Sequence, residues 1–131
     1  MGEPAAKEGD HVEAIDIHIV MIPSITGEIP TPLPNPFSGV IDGGCSNNVI
    51  ISGCGAATVG STASNQPEHI PEGGPFQIPP TNSGTLISGS ATVFINNKPA
   101  ARNGDRAITC NDPAPLPVGT VIAVGNVLIG G

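Results

Sequence analysis

The chain has 131 residues, enough for one domain with a modest core. Trp and Tyr are absent and Phe occurs three times, so the core has to be assembled from Val, Ile, Leu and Ala. A net charge of −7 with four basic residues excludes a nucleic-acid or anionic-membrane binder, because both need Lys and Arg to displace counterions.

The chain opens on MGEPAAKEGD, which is not a signal peptide. No window reaches the 18 apolar residues of a spanning helix. The expectation is a protein made in the cytoplasm without an export address of its own. PAAKEGD (4–10) is the first copy of a repeated piece. The first unit continues through His18. A Pro-rich stretch follows, PSITGEIPTPLPNPF (23–37), which includes Asn35. It predicts either a loop without strands or an extended segment clamped to the surface, since Pro fixes φ and lowers the cost of ordering.

GVIDGG (39–44) and VIISGCGAATVGS (49–61) form the second unit. A second Pro-rich stretch, PEHIPEGGPFQIPPTNSG (67–84), holds His69. GTLISG (84–89) and VFINNKPAARNGD (93–105) make the third unit, which leads to Cys110. One short turn fits near 110–116. GTVIAVGNVLIGG (119–131) supplies the strand pair missing from the first unit, so the copies are circularly shifted. Ala5-Ala6…Gly9, Ala56-Ala57…Gly60 and Ala100-Ala101…Gly104 stand in register. The predicted fold is all-β: short strands of three to five residues in pseudo-threefold units, with Pro-rich loops, as one domain over 1–131.

The register makes the donor residues informative. His18 lies nine residues after Gly9, His69 nine after Gly60, and Cys110 six after Gly104. Three equivalent segments thus each offer one ligand to a shared apex. Imidazole and thiolate suit one zinc ion, and a six-imidazole iron site is out of reach with three His. A staple of this kind suits a tapering body with little core volume. The fourth position stays open among water, Asp112, His11 and Asn35. Three Cys is an odd number, so a metal or buried thiols fit better than a disulfide framework. Cys45 and Cys54 read as packed thiols. Arg102 reads as a structural group, bonding turn carbonyls or a neighbouring unit's carboxylate of the Asp10 type. No H-E-x-x-H, phosphate loop or nucleophile elbow is present, which makes a zinc hydrolase the weakest reading.

INNKPAARNGDRAITC (95–110) resembles the signature of PAAR (proline-alanine-alanine-arginine) repeat proteins, with Pro99, Ala100, Ala101, Arg102, Gly104 and Asp105 as its motif. DIHIVMIPSITGEIPTPLPNPFSG, HIPEGGPF, GSATVFIN and TCNDP resemble PAAR-like proteins of type VI secretion and of phage-tail-like extracellular contractile injection systems. The resemblance covers essentially the whole chain. It implies a small cone whose broad base caps a trimeric VgrG-like spike protein. Its zinc-bound apex would be the first part to touch the target membrane. Assembly at the tip of an injection particle and delivery outside the cell follow from it. His18, His69 and Cys110 match the family's ligand places, whereas Asn35 stands where relatives have the His of PLPHPF. Toxins are fused to some such tips. The competing reading is an adaptor that recruits effector proteins through the Pro-rich stretches.

Overall fold

The repeated turn organises the molecule. The computed structural model describes residues 2–131, and every regular element among them is a strand. In each unit an Ala-Ala pair runs into a tight turn closed by Gly9, Gly60 or Gly104, whose φ values are 95°, 97° and 89°. Side chains avoid that region, which is why glycine recurs there. The next residue caps the turn. Asp10, Ser61 and Asp105 accept the backbone N–H of Lys7, Thr58 and Arg102 with their side-chain oxygens.

The three turns meet at one axis. Ala6 N–H donates to Ala101 O at 2.9 Å, Ala101 N–H to Ala57 O at 3.0 Å, and Ala57 N–H to Ala6 O at 2.9 Å. This closed ring of backbone bonds demonstrates the pseudo-threefold relation. All three alanines are buried, so only a methyl fits at the axis.

On one side of the ring lie three two-stranded hairpins. They pair β1 (Glu3–Pro4) with β12 (Leu128–Ile129), β4 (Ile50–Ile51) with β5 (Cys54–Gly55), and β8 (Phe94–Ile95) with β9 (Lys98–Pro99). The first hairpin joins the two ends of the chain, as the circular shift of the repeats requires. On the other side, β2 (His11–Ser24), β3 (Gly27–Gly43), β6 (Thr62–Asn65), β7 (Ser83–Leu86), β10 (Arg106–Thr109) and β11 (Leu116–Ile122) close a barrel in the order β10-β11-β2-β3-β6-β7. Its core repeats the symmetry: Val12, Ala63 and Ala107 form one buried set, and Ile41, Leu86 and Val121 another. Phe37 fills the lumen. A Cβ on Gly39 would fall 2.6 Å from its ring, and one on Gly84 3.3 Å from it. The barrel is narrow enough that a single aromatic plugs it.

Two expectations need correcting. Strands β2 and β3 have 14 and 17 residues rather than three to five. The first Pro-rich stretch is also no loop: it forms the return strand of one long antiparallel hairpin, with Met21 opposite Pro30 and Ile15 opposite Pro36. The physical reason is parity. Pro30, Pro32, Pro34 and Pro36 fall on alternate residues, whose N and O face away from β2. Ser38, on the same parity, shows the direction, since its N–H and O bond outward to Asn65 Oδ1 and Gln66 N. The prolines therefore cost no ladder bond, and they leave the open edge of β3 without donors. The second Pro-rich stretch is irregular but clamped to β2, with Met21 N–H on Pro75 O and Ile19 O taking Gln77 N–H.

Candidate metal centre

Along β2 the side chains of Val12, Asp16, His18 and Val20 are buried, as the period of two dictates for one face of a strand. Two of these four inward positions are polar, which is costly unless they are partnered. The partners come from the rest of the barrel. His69 stands on the segment after β6, and Cys110 directly follows β10. Asp16, His18, His69 and Cys110 form a buried group whose candidate ligand atoms all lie within 4.8 Å of one another.

His69 Nε2 is 3.0 Å from Asp16 Oδ2, Cys110 Sγ is 3.4 Å from the same oxygen, and His18 Nε2 is 3.6 Å from Cys110 Sγ. The edges of a tetrahedron around zinc, with bonds of about 2.0–2.3 Å, run to about 3.3–3.7 Å. Two of these three separations match those edges and the whole group lies within 4.8 Å, so a slight drawing-in of the donors would accommodate a four-coordinate ion. The set of one carboxylate, two imidazoles and one thiol suits a borderline-soft metal.

The surrounding groups sort the donors. Asp16 turns Oδ2 to the cluster while Oδ1 accepts from Thr109 Oγ1 and from Asn111 Nδ2 at 3.2 Å. His18 presents Nε2 inward. Its Nδ1 is buried without a hydrogen bond, and Asp112 Oδ1 stands 3.6 Å from it. That is the order of a carboxylate–histidine–metal relay, in which the outer N–H faces a carboxylate. Asp112 is itself fixed by accepting Ile19 N–H at 2.8 Å.

His69 is held differently. Asn65 Nδ2 points at its Nδ1 from 3.3 Å, while Asn65 Oδ1 is committed to Ser38 N–H. That arrangement puts the proton on Nε2 and makes an Asp16–His69 pair. A metal held through Nε2 would leave the ring proton on Nδ1, and the Asn65 amide would then have to turn away from it. Burial pushes the Cys110 thiol up, and the Asp16 charge adds to the effect. A buried thiol whose anion is disfavoured beside a carboxylate is what a divalent cation would compensate.

His18, His69 and Cys110 thus converge, and the fourth donor beside them is Asp16, which sequence reasoning passed over. The available signal was a charged residue at an inward position of an alternating strand, two residues before His18. Neither alternative ligand joins the group. His11 is exposed at the start of β2, seven residues from His18 and about 23 Å along the strand. Asn35 sits opposite Asp16 in register, but its amide donates to Leu33 O at 3.0 Å. Asp112 lies behind His18 rather than in the cluster.

Residues 76–131 match a family model, the PAAR motif. The chain carries a PAAR motif, as PAAR-like spike-tip proteins do. No curated protein matches the chain. Within the PAAR motif, Pro99, Ala100 and Ala101 enter the axis, while Gly104 and Asp105 close the turn. Arg102 binds Asp105 of its own turn through Nη2 at 3.1 Å and reaches Gly130 O at 3.3 Å. Its carboxylate partner is therefore not that of a neighbouring unit. Cys110 lies inside the matched PAAR segment, whereas Asp16, His18 and His69 precede it.

Proposed function

We propose that the chain is a non-enzymatic, zinc-stapled cap on the blunt end of a trimeric VgrG-like spike, with its barrel end leading toward the target membrane. The observation that carries the reading is the face of the three hairpins. Ile50, Phe94 and Leu128 occupy equivalent positions and are 56%, 57% and 58% exposed. Three equal apolar corners around a pseudo-threefold axis suit a partner that presents the same patch three times. Four protein donors around one ion leave no open position for substrate, as in structural zinc sites. The metal's task is then to tie β2, the segment after β6 and the segment after β10 together, so that binding free energy acts as folding free energy. Synthesis in the bacterial cytoplasm and assembly at the particle tip belong to the same proposal.

The test is a pull-down of a trimeric spike protein's tip by the full chain. The Ile50→Asp/Phe94→Asp/Leu128→Asp variant should lose binding while keeping its fold by circular dichroism. Unchanged capture by that variant would sink the cap reading.

A further inference from the structure

The outer face of the β2–β3 hairpin is unlike the rest of the surface. Reading the register outward from the base, the cross-strand pairs on this face are Glu13 with Ser38, Ile15 with Pro36, Ile17 with Pro34, Ile19 with Pro32, Met21 with Pro30, and Pro23 with Glu28. Four apolar pairs in a row are thus bounded at each end by a carboxylate. Ile15 is 59% exposed, the four prolines are exposed, and Ile17, Ile19 and Met21 are half-buried. On the neighbouring strand β11, exposed Val118 and Leu116 follow Thr120, the partner of Glu13, and widen the strip. From Glu13 to Pro23 the ladder runs about 33 Å.

Charge decides what would cover it. All four basic residues are Lys7, Lys98, Arg102 and Arg106, so residues 8–97, which include the whole hairpin, hold no cation. A second copy of the chain would set Glu13 and Glu28 against like charges. An anionic lipid surface is repelled for the same reason. Pairing at the open edge of β3 is also blocked, because an incoming strand would find carbonyls but no N–H groups at Pro30, Pro32, Pro34 and Pro36. Contact has to be made on the face.

We propose that this face is a docking strip for an extended segment of another protein, apolar along about eight residues and basic at both ends. Prolines make a rigid apolar surface with little side-chain entropy to lose on contact. The two carboxylates set the register of the bound segment and favour Lys or Arg at its ends. This proposal stands apart from the cap reading, which uses the opposite end of the molecule.

The probes are two synthetic ten-residue peptides with the same Pro-Leu centre, (Pro-Leu)4, one flanked by lysines and one by glutamates. At about 3.1 Å per residue such peptides match the strip in length. Titrated onto the full chain at low salt, the Lys-ended peptide should bind about tenfold tighter than its Glu-ended twin, the sum of two surface ion pairs. The gap should close in high salt. The Glu13→Lys/Glu28→Lys variant should reverse the preference, and Ile15→Asp should weaken both peptides. The triple base variant should bind them normally, which separates this test from the failure of the cap reading. Equal binding of the twins, no binding of either, or indifference to Ile15→Asp overturns the proposal. So does a dimer in sedimentation that Ile15→Asp abolishes, which would give the face to a second copy.

Discussion

The two ends of the molecule are held by opposite means. At the base, three copies of one turn are joined by backbone bonds, and side chains at the axis shrink to the methyls of Ala6, Ala57 and Ala101. At the barrel end the symmetry is gone. One hairpin runs far beyond the others, and the donors Asp16, His18, His69 and Cys110 come from three different places in the chain. Backbone bonds repeat exactly with the sequence, so they can build a symmetric base from imperfect copies. A four-donor site needs four particular atoms, and three similar units cannot supply four ligands equally. The surplus member of the candidate group comes from the long strand, which contributes two.

The comparison can be broken at several points. The largest effect belongs to the residue that joins both ends, Phe37 in the barrel lumen. Phe37→Ala should cost about 3–5 kcal/mol in urea unfolding, because the cavity it leaves is walled by closely packed backbone. Next come the donors. Asp16→Ala, His18→Ala, His69→Ala and Cys110→Ala should each lose stoichiometric metal by elemental analysis. A chelator should lower the melting temperature of the parent chain and leave the variants unmoved. A parent that melts identically with and without chelator would remove the metal from the account. Behind the donors, Asp112→Asn should weaken metal affinity about 10–100-fold in a competition titration, since its carboxylate faces the outer nitrogen of His18.

The symmetric end predicts equality rather than magnitude. Gly9→Ala, Gly60→Ala and Gly104→Ala meet no neighbouring atom within 4 Å, so each should cost only its backbone strain, about 1–2 kcal/mol. Three unequal losses would show that the turns are not equivalent in energy. Smallest of all, Cys45→Ala should cost about 1 kcal/mol or less and leave the bound metal unchanged, because this half-buried thiol only packs beside the core.

Much of the base was legible in the sequence because its determinants are local. An Ala-Ala pair, a glycine at positive φ and an Asp or Ser cap sit within seven residues of one another, and each copy repeats them. The convergence of His18, His69 and Cys110 was legible for the same reason, as an offset from those glycines. Asp16 is not legible from residue types common at zinc; its signal is the inward parity of β2. Of the two readings of the first Pro-rich stretch, a loop or a clamped extended segment, the extended one holds, but its pairing as a strand of 17 residues was not foreseen. The alternate spacing of its prolines, which keeps every N–H that the hairpin needs, was the signal for it.

The alanine ring has a mechanical consequence. Its links are backbone to backbone, and no side chain on the axis has a rotamer to change. A push along that axis is therefore shared by three short, equivalent paths of peptide bonds and hydrogen bonds, none of which can relieve it by repacking. The body should behave as a stiff strut at the base, and compliance should be confined to the free end of the long hairpin, beyond Ile22.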